Sequence, residues 1–178
     1  GGFHPGPDDR APGAAVDGRA TLILLGNAGP ALWRAFSASR HQADEGANPL
    51  DDWTRRTVTP LAGALGAAAL FPFDGPPYLP FPSWAAKAEG LSSSPLGILI
   101  HPDFGLWHAY RAALLFDRAL DLPRRTPPDN PCARCADKPC LKGCPVAAFS
   151  QGFYDVPACV RHIEDPGGRA CVDFGCLA

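Results

Sequence analysis

The sequence predicts an α+β protein, in which an α/β body precedes a small cysteine-rich region. Two observations support this prediction. Residues 1–122 alternate short apolar runs, typical of buried strands, with segments whose apolar residues recur at helical spacing. All seven cysteines follow the proline-rich stretch "PRRTPPDNP" at 123–131. We therefore divide the chain into a body (1–122), a linker (123–131) and a cysteine-rich region (132–178).

The first half of the body is predicted to contain one strand and two helices. The apolar run "RATLILLGN" at 19–27 is typical of a buried strand. A helix is expected directly after it, because Pro30 suits a helix start and the next apolar residues recur at helical spacing. The stretch 48–66 opens with Asn-Pro, a pair typical of a first helical turn, and predicts an amphipathic helix bent near Pro60.

The second half of the body is predicted to contain three apolar segments and a short helix. "AAALFPF" at 67–73 predicts a second strand, whereas the four prolines of 74–84 exclude regular structure there. A short helix is expected to end at Gly90. Residues 95–123 predict a strand, a turn at 101–103 and then a second apolar strand or helix.

Composition and charge exclude several classes of partner. The formal net charge is -2 and the charges are scattered, so neither nucleic acid nor a membrane surface is an expected partner. No apolar run is long enough for a transmembrane helix, and the start shows no signal peptide, so we expect a cytoplasmic protein. The sequence contains no Met and stops soon after Cys176, so we expect the natural chain to continue beyond Ala178.

The cysteines follow a spacing typical of iron–sulfur proteins. The first four are separated by two, four and three residues, and Pro145 follows the last of them. Bacterial ferredoxins use the related pattern C-x2-C-x2-C-x3-C-P, whose fourth cysteine ligates the second of two clusters. The candidate metal ligands are Cys132, Cys135, Cys140, Cys144, Cys159, Cys171 and Cys176.

Three interpretations of these thiols remain open. Disulfides suit a small secreted chain, but here the count is odd and no signal peptide is visible. Structural zinc usually uses two C-x2-C pairs, and only one is present. Two [4Fe–4S] clusters fit best if the first three cysteines hold a cluster that lacks a ligand in this chain and the last four hold the other. An eighth cysteine is then expected just past Ala178.

Two quoted segments resemble known families. "PLGILIHPDFGLWHAYRAALLFDRALDLP" (95–123), followed by "CARCADKPCLKGCPVAAF" (132–149), resembles the middle of the epoxyqueuosine reductase family and its corrinoid-dependent dehalogenase relatives. "IHPDFGLWHAYR" (100–111) also resembles CblC-type cobalamin-processing proteins. The resemblance covers roughly residues 95–176 and implies a nitroreductase-like α/β body that cradles cobalamin, followed by a ferredoxin-like domain.

The functional hypothesis is an iron–sulfur electron-transfer or reductase module that passes electrons to a bound corrinoid, or to a flavin. A corrin would bind near His101, Asp103 and Trp107, and no catalytic residue is assigned. The expected partners are a soluble electron donor, such as ferredoxin or flavodoxin, and a small-molecule substrate. The alternative is a non-catalytic cobalamin-binding, chaperone-like protein or a structural-zinc module.

Overall fold

The chain folds into two compact units, each containing more than one segment of sequence. The computed structural model describes residues 1–12, 19–39, 46–123, 126, 128–150 and 152–174, with the backbone alone for 173 and 174. The first unit comprises Gly1–Leu91 and Asp103–Pro128, and the second comprises Ser92–Pro102 and Asp129–Ala178. Helices and strands are both abundant, which confirms a mixed α and β protein.

The described part of the first unit contains four strands and three α-helices. The strands are β1 (Gly2–Phe3), β2 (Thr21–Ala28), β3 (Ala68–Leu70) and β6 (His108–Phe116), and the helices are α1 (Ala31–Ser39), α2 (Pro49–Leu65) and α3 (Phe81–Glu89). The strands form one antiparallel sheet in the order β1-β2-β6-β3. The apolar segment that the sequence left open between strand and helix is therefore the strand β6.

Both faces of this sheet are covered because β2 and β6 are apolar on both sides. Ala112, Leu114 and Phe116 pack with Val58 and Ala62 of α2. On the other face Leu22 and Leu24 are buried, and α3 packs against β1 and β2. The near-continuous apolar run that predicted β2 thus reflects burial of both faces.

A bulge in β6 alters the pairing near the end of β2. Leu25 pairs with Ala112 and Gly26 pairs with Tyr110, so Arg111 is the extra residue. A Cβ atom on Gly26 would lie 3.1 Å from two ring carbons of Tyr110. The glycine therefore allows the tyrosine ring to lie directly over the strand.

Buried polar contacts of Asp9 join the N-terminal segment to α3. Lys87 Nζ donates to both carboxylate oxygens of Asp9 at 2.7 and 2.8 Å, and the Gly6 amide donates to Oδ2 at 2.7 Å. Trp84, fully buried, donates from Nε1 to the Asp9 carbonyl at 2.7 Å. Burial raises the pKa of the Asp9 carboxyl, but the hydrogen bonds and charge of Lys87, with the Gly6 amide, outweigh it and leave the pKa below its ordinary value.

The second unit consists of short elements. They are β4 (Ser92–Ser93), β5 (Leu99–Ile100), α4 (Pro131–Arg134), α5 (Pro139–Lys142), β7 (Phe149–Ser150), β8 (Phe153–Tyr154), α6 (Val156–Glu164) and α7 (Arg169–Phe174). β4 pairs with β5 and β7 with β8, each pair antiparallel. Among its described residues Ala148 is the one apolar side chain that is buried. No helix in the described part of the chain is long and apolar enough to cross a membrane.

We predict that Asp9→Asn lowers the free energy of unfolding at pH 7 by about 1–3 kcal/mol, because it removes the charge that Lys87 and Gly6 bind. The pKa of the Asp9 carboxyl is lower in the folded state than in the unfolded state. The stabilisation by its charge is therefore fully present above the unfolded-state pKa of about 4, and it is lost as the pH falls through the folded-state pKa. The difference from the parent should therefore shrink below about pH 4.

Urea unfolding followed by tryptophan fluorescence measures this effect, because all four tryptophans belong to the first unit. Asp8→Asn is the matched control, since Asp8 is exposed and should leave stability unchanged at each pH. An equal loss for both variants, or a loss that persists unchanged at pH 3, would contradict the assignment.

Candidate metal centre

Short helices carry most of the cysteines of the second unit. Cys132 lies in α4, Cys140 in α5, Cys159 in α6 and Cys171 in α7. All six described cysteines, which also include Cys135 and Cys144, are half-buried and form no disulfide. Cys176 lies outside the described residues.

Local sequence signals explain why the first two of these helices form. Asn130 Oδ1 accepts a hydrogen bond from the Cys132 amide at 2.9 Å, and Pro131 begins α4. Lys138 has a left-handed backbone (φ 41°), and Pro139 begins α5 directly after it. The chain therefore changes direction between the two helices, and each helix places its cysteine one residue after a proline.

The thiol of Cys144 accepts a backbone hydrogen bond. The Ala148 amide donates to Cys144 Sγ at 3.3 Å, and Ala148 is 1 % exposed. Hydrogen bonds to sulfur are among the interactions by which proteins tune iron–sulfur clusters, because they stabilise negative charge on the sulfur. No local sequence pattern indicates this contact, since every residue except proline carries the same amide.

The pKa of the Cys132 thiol reflects both its burial and the charges near it. Burial raises the pKa of the Cys132 thiol above its ordinary value, and negative charge on Cys140 and Cys135 raises it further, against a lowering effect of Lys138. These thiols are therefore close enough for their charges to interact. The described part of the chain nevertheless contains no group of three His, Cys, Asp or Glu side chains placed to hold a metal ion.

Apolar side chains near the cysteines in sequence keep part of their surface exposed. Val146, next to Pro145, is 37 % exposed, and Val160 of α6 is 39 % exposed. The ring of Phe149 in β7 stacks on that of Tyr154 in β8, with centroids 4.5 Å apart. These side chains do not assemble an apolar core.

The three residues predicted to bind an organic cofactor are divided between the two units. His101 is buried and belongs to the second unit, whereas Asp103 and Trp107 are exposed and belong to the first. Two hydrogen bonds fix the Trp107 backbone: its amide donates to the Phe104 carbonyl, and its carbonyl accepts from the Gly29 amide. Its side chain is 77 % exposed on this fixed backbone.

Comparison with known proteins gave no match: no family model, no curated protein and no solved structure was found to match the chain. The resemblance to the epoxyqueuosine reductase and CblC-type families therefore stays a prediction from the quoted segments.

We predict that the described cysteines form no disulfide in the purified protein. Alkylation with iodoacetamide in denaturant, without a reducing agent, should add at least six carbamidomethyl groups, because no disulfide joins the six described cysteines. Intact-mass spectrometry counts the additions. A sample reduced before alkylation is the control, and two further additions after reduction would reveal a disulfide and contradict the free-thiol assignment.

Proposed function

We propose that this protein is an iron–sulfur protein whose second unit holds two [4Fe–4S] clusters and serves in electron transfer. In this proposal Cys132, Cys135 and Cys140 bind one cluster, whose fourth ligand this chain lacks. The second cluster is bound by Cys144, Cys159, Cys171 and Cys176. The clusters would supply one-electron transfer at low potential.

One observation carries the proposal: the second unit combines six free, half-buried thiols with a single buried apolar side chain among its described residues. A unit with so little buried apolar surface gains little stability from the hydrophobic effect. Ligation of metal by thiolates stabilises small units of this kind, because the free energy of binding becomes free energy of folding.

The donor set fits an iron–sulfur cluster in its chemistry, whereas the described side chains do not form a ligand group. Thiolates are the soft ligands that these clusters use, and the Ala148 amide supports one of the sulfurs. Since no three ligating side chains gather among the described residues, cluster binding would have to draw the thiols together. We therefore expect cluster binding and ordering of the second unit to occur together.

The proposed destination of the electrons is a cofactor held by the body. On the resemblance to corrinoid-dependent reductases, the body would have a nitroreductase-like or CblC-like fold and the second unit a ferredoxin-like fold. A corrinoid or flavin would bind near His101, Asp103 and Trp107, and a soluble donor such as ferredoxin or flavodoxin would reduce the clusters. The exposed ring of Trp107 supports this part of the proposal, because indole packs well on flat cofactors.

Metal and sulfide analysis of protein purified without oxygen tests the proposal. We expect about eight irons and about eight acid-labile sulfides per chain if both clusters assemble, and about four of each if the chain holds one. The visible absorption should bleach with dithionite. Zinc without sulfide would instead establish a structural metal, and stoichiometric cobalamin binding without iron or turnover would indicate a cobalamin carrier.

We predict that Cys159→Ser halves the iron content, from about eight to about four per chain, because it removes a ligand of one cluster only. Iron and sulfide per chain and the electron paramagnetic resonance spectrum of the reduced protein measure the effect. Ala158→Ser is the matched control, since it places the same serine one residue earlier in α6 and keeps every thiol. Loss of both clusters, or of neither, would contradict the assignment of ligands.

A further inference from the structure

A groove in the first unit is lined by no cysteine. It has a volume of about 410 Å³, within the range of small-molecule sites. The groove is bordered by the N-terminal segment and by the loop between β3 and α3. Its lining includes Arg10, Leu70, Asp74, Pro77, Tyr78 and Pro80.

The backbone of Arg10 is held in an unfavourable conformation at the edge of this groove. Its φ of 48° lies in the left-handed region, which costs a residue with a side chain free energy relative to glycine. The preceding residue, Asp9, is fixed on both its carboxylate and its carbonyl by Lys87 and Trp84. The contacts of Asp9 thus impose the position from which the Arg10 side chain extends, a pattern that recurs at ligand sites.

Arg10 is a cation that no described residue neutralises. The nearby carboxylate of Asp9 is bound by Lys87, and the carboxylate of Asp74 in the groove wall forms an ion pair with Arg55. The Arg55 guanidinium is itself fixed by the ring of Phe71, whose centroid lies 4.7 Å away. Since both acids are already paired, Arg10 has no ion-pair partner among the residues that the structure describes.

The remaining lining is apolar and stiff. Pro77 and Pro80 are rigid because the proline ring fixes the backbone angle φ. Together with Leu70 they form an apolar wall of the groove. The Tyr78 ring packs against the backbone of Gly75, where a Cβ atom would lie 2.6 Å from a ring carbon. Tyr78 is nevertheless 64 % exposed, so one face of its ring is open to a ligand.

We propose that this groove binds a small organic anion in which a carboxylate is attached to a flat apolar body. The guanidinium of Arg10 would bind the carboxylate in a bidentate manner, and the body would lie between Tyr78 and the prolines. This site is independent of the proposed clusters, because every lining residue belongs to the first unit.

Titration with 2-naphthoate tests the proposal, followed by the ¹⁵N–¹H shifts of the amides of Asp74, Tyr78 and Leu79. We expect saturable shifts of these amides, and much weaker binding of the neutral analogue 2-naphthamide. Arg10→Gln should weaken naphthoate binding about tenfold or more, because it removes a charge-assisted hydrogen bond. Arg34→Gln, which removes an exposed arginine of α1, is the matched control and should bind as the parent does.

Arg10→Gly separates a ligand role from a structural one. It should abolish naphthoate binding and yet raise the melting temperature of the first unit by roughly 2 °C, because glycine adopts a φ of 48° without strain. A lower melting temperature would show that Arg10 serves the fold, which overturns the proposal. Equal binding of 2-naphthamide, undiminished binding to Arg10→Gln, or unshifted groove amides would also overturn it.

Discussion

The antiparallel pairing of β2 with β6 is the interaction on which the first unit depends. It runs from Thr21 opposite Phe116 to Ala28 opposite His108 and joins residues far apart in sequence. Each of these two strands also pairs with an outer strand of the sheet: β2 pairs with β1, and β6 pairs with β3. The helices α2 and α3 pack on the two faces of the sheet, and these faces form only when β2 and β6 have paired. Loss of the pair would leave no surface on which the remaining elements could pack.

The second unit has a different source of order. Its helices α4 and α5 are single turns opened by prolines, and its described residues bury one apolar side chain. Conformational entropy opposes the ordering of each such residue by about 1–2 kcal/mol, and buried apolar surface offsets little of it here. The two units therefore differ in kind: one is stabilised by packed side chains, and in our proposal the other is stabilised by ligation.

Much of the first unit could be predicted from sequence because its signals are local. The apolar run of β2, the periodicity of α2 and the glycine that ends α3 at Gly90 each act within a few residues. The strand β6 was left open because a short apolar run fits a buried strand or a buried helix equally. The Asn-Pro pair at 48–49 marked the start of α2, although Asn48 makes no side-chain capping hydrogen bond there. Asn130, which the sequence assigned to the linker, caps α4 with its side chain.

Features that depend on distant residues could not be predicted. The boundary between the two units falls between His101 and Asp103, which are two residues apart, and no local signal in the sequence marks it. The fixed position of Arg10 depends on Lys87 and Trp84, which lie more than 70 residues away in the chain. No local sequence pattern predicts these hydrogen bonds, because the groups that form them come together only in the folded chain.

Each unit consists of two separate segments of sequence, so the order of synthesis determines when each unit can be completed. Synthesis passes through Ser92–Pro102 before it reaches β6, without which the sheet of the first unit is unfinished. The same segment belongs to a unit whose remaining residues begin only at Asp129. It therefore emerges early, with Leu99 and Ile100 of β5, and the rest of its unit is synthesised only after β6. A segment of the cysteine-bearing unit is thus synthesised before the sheet of the first unit can be complete, although most of that unit's residues come last.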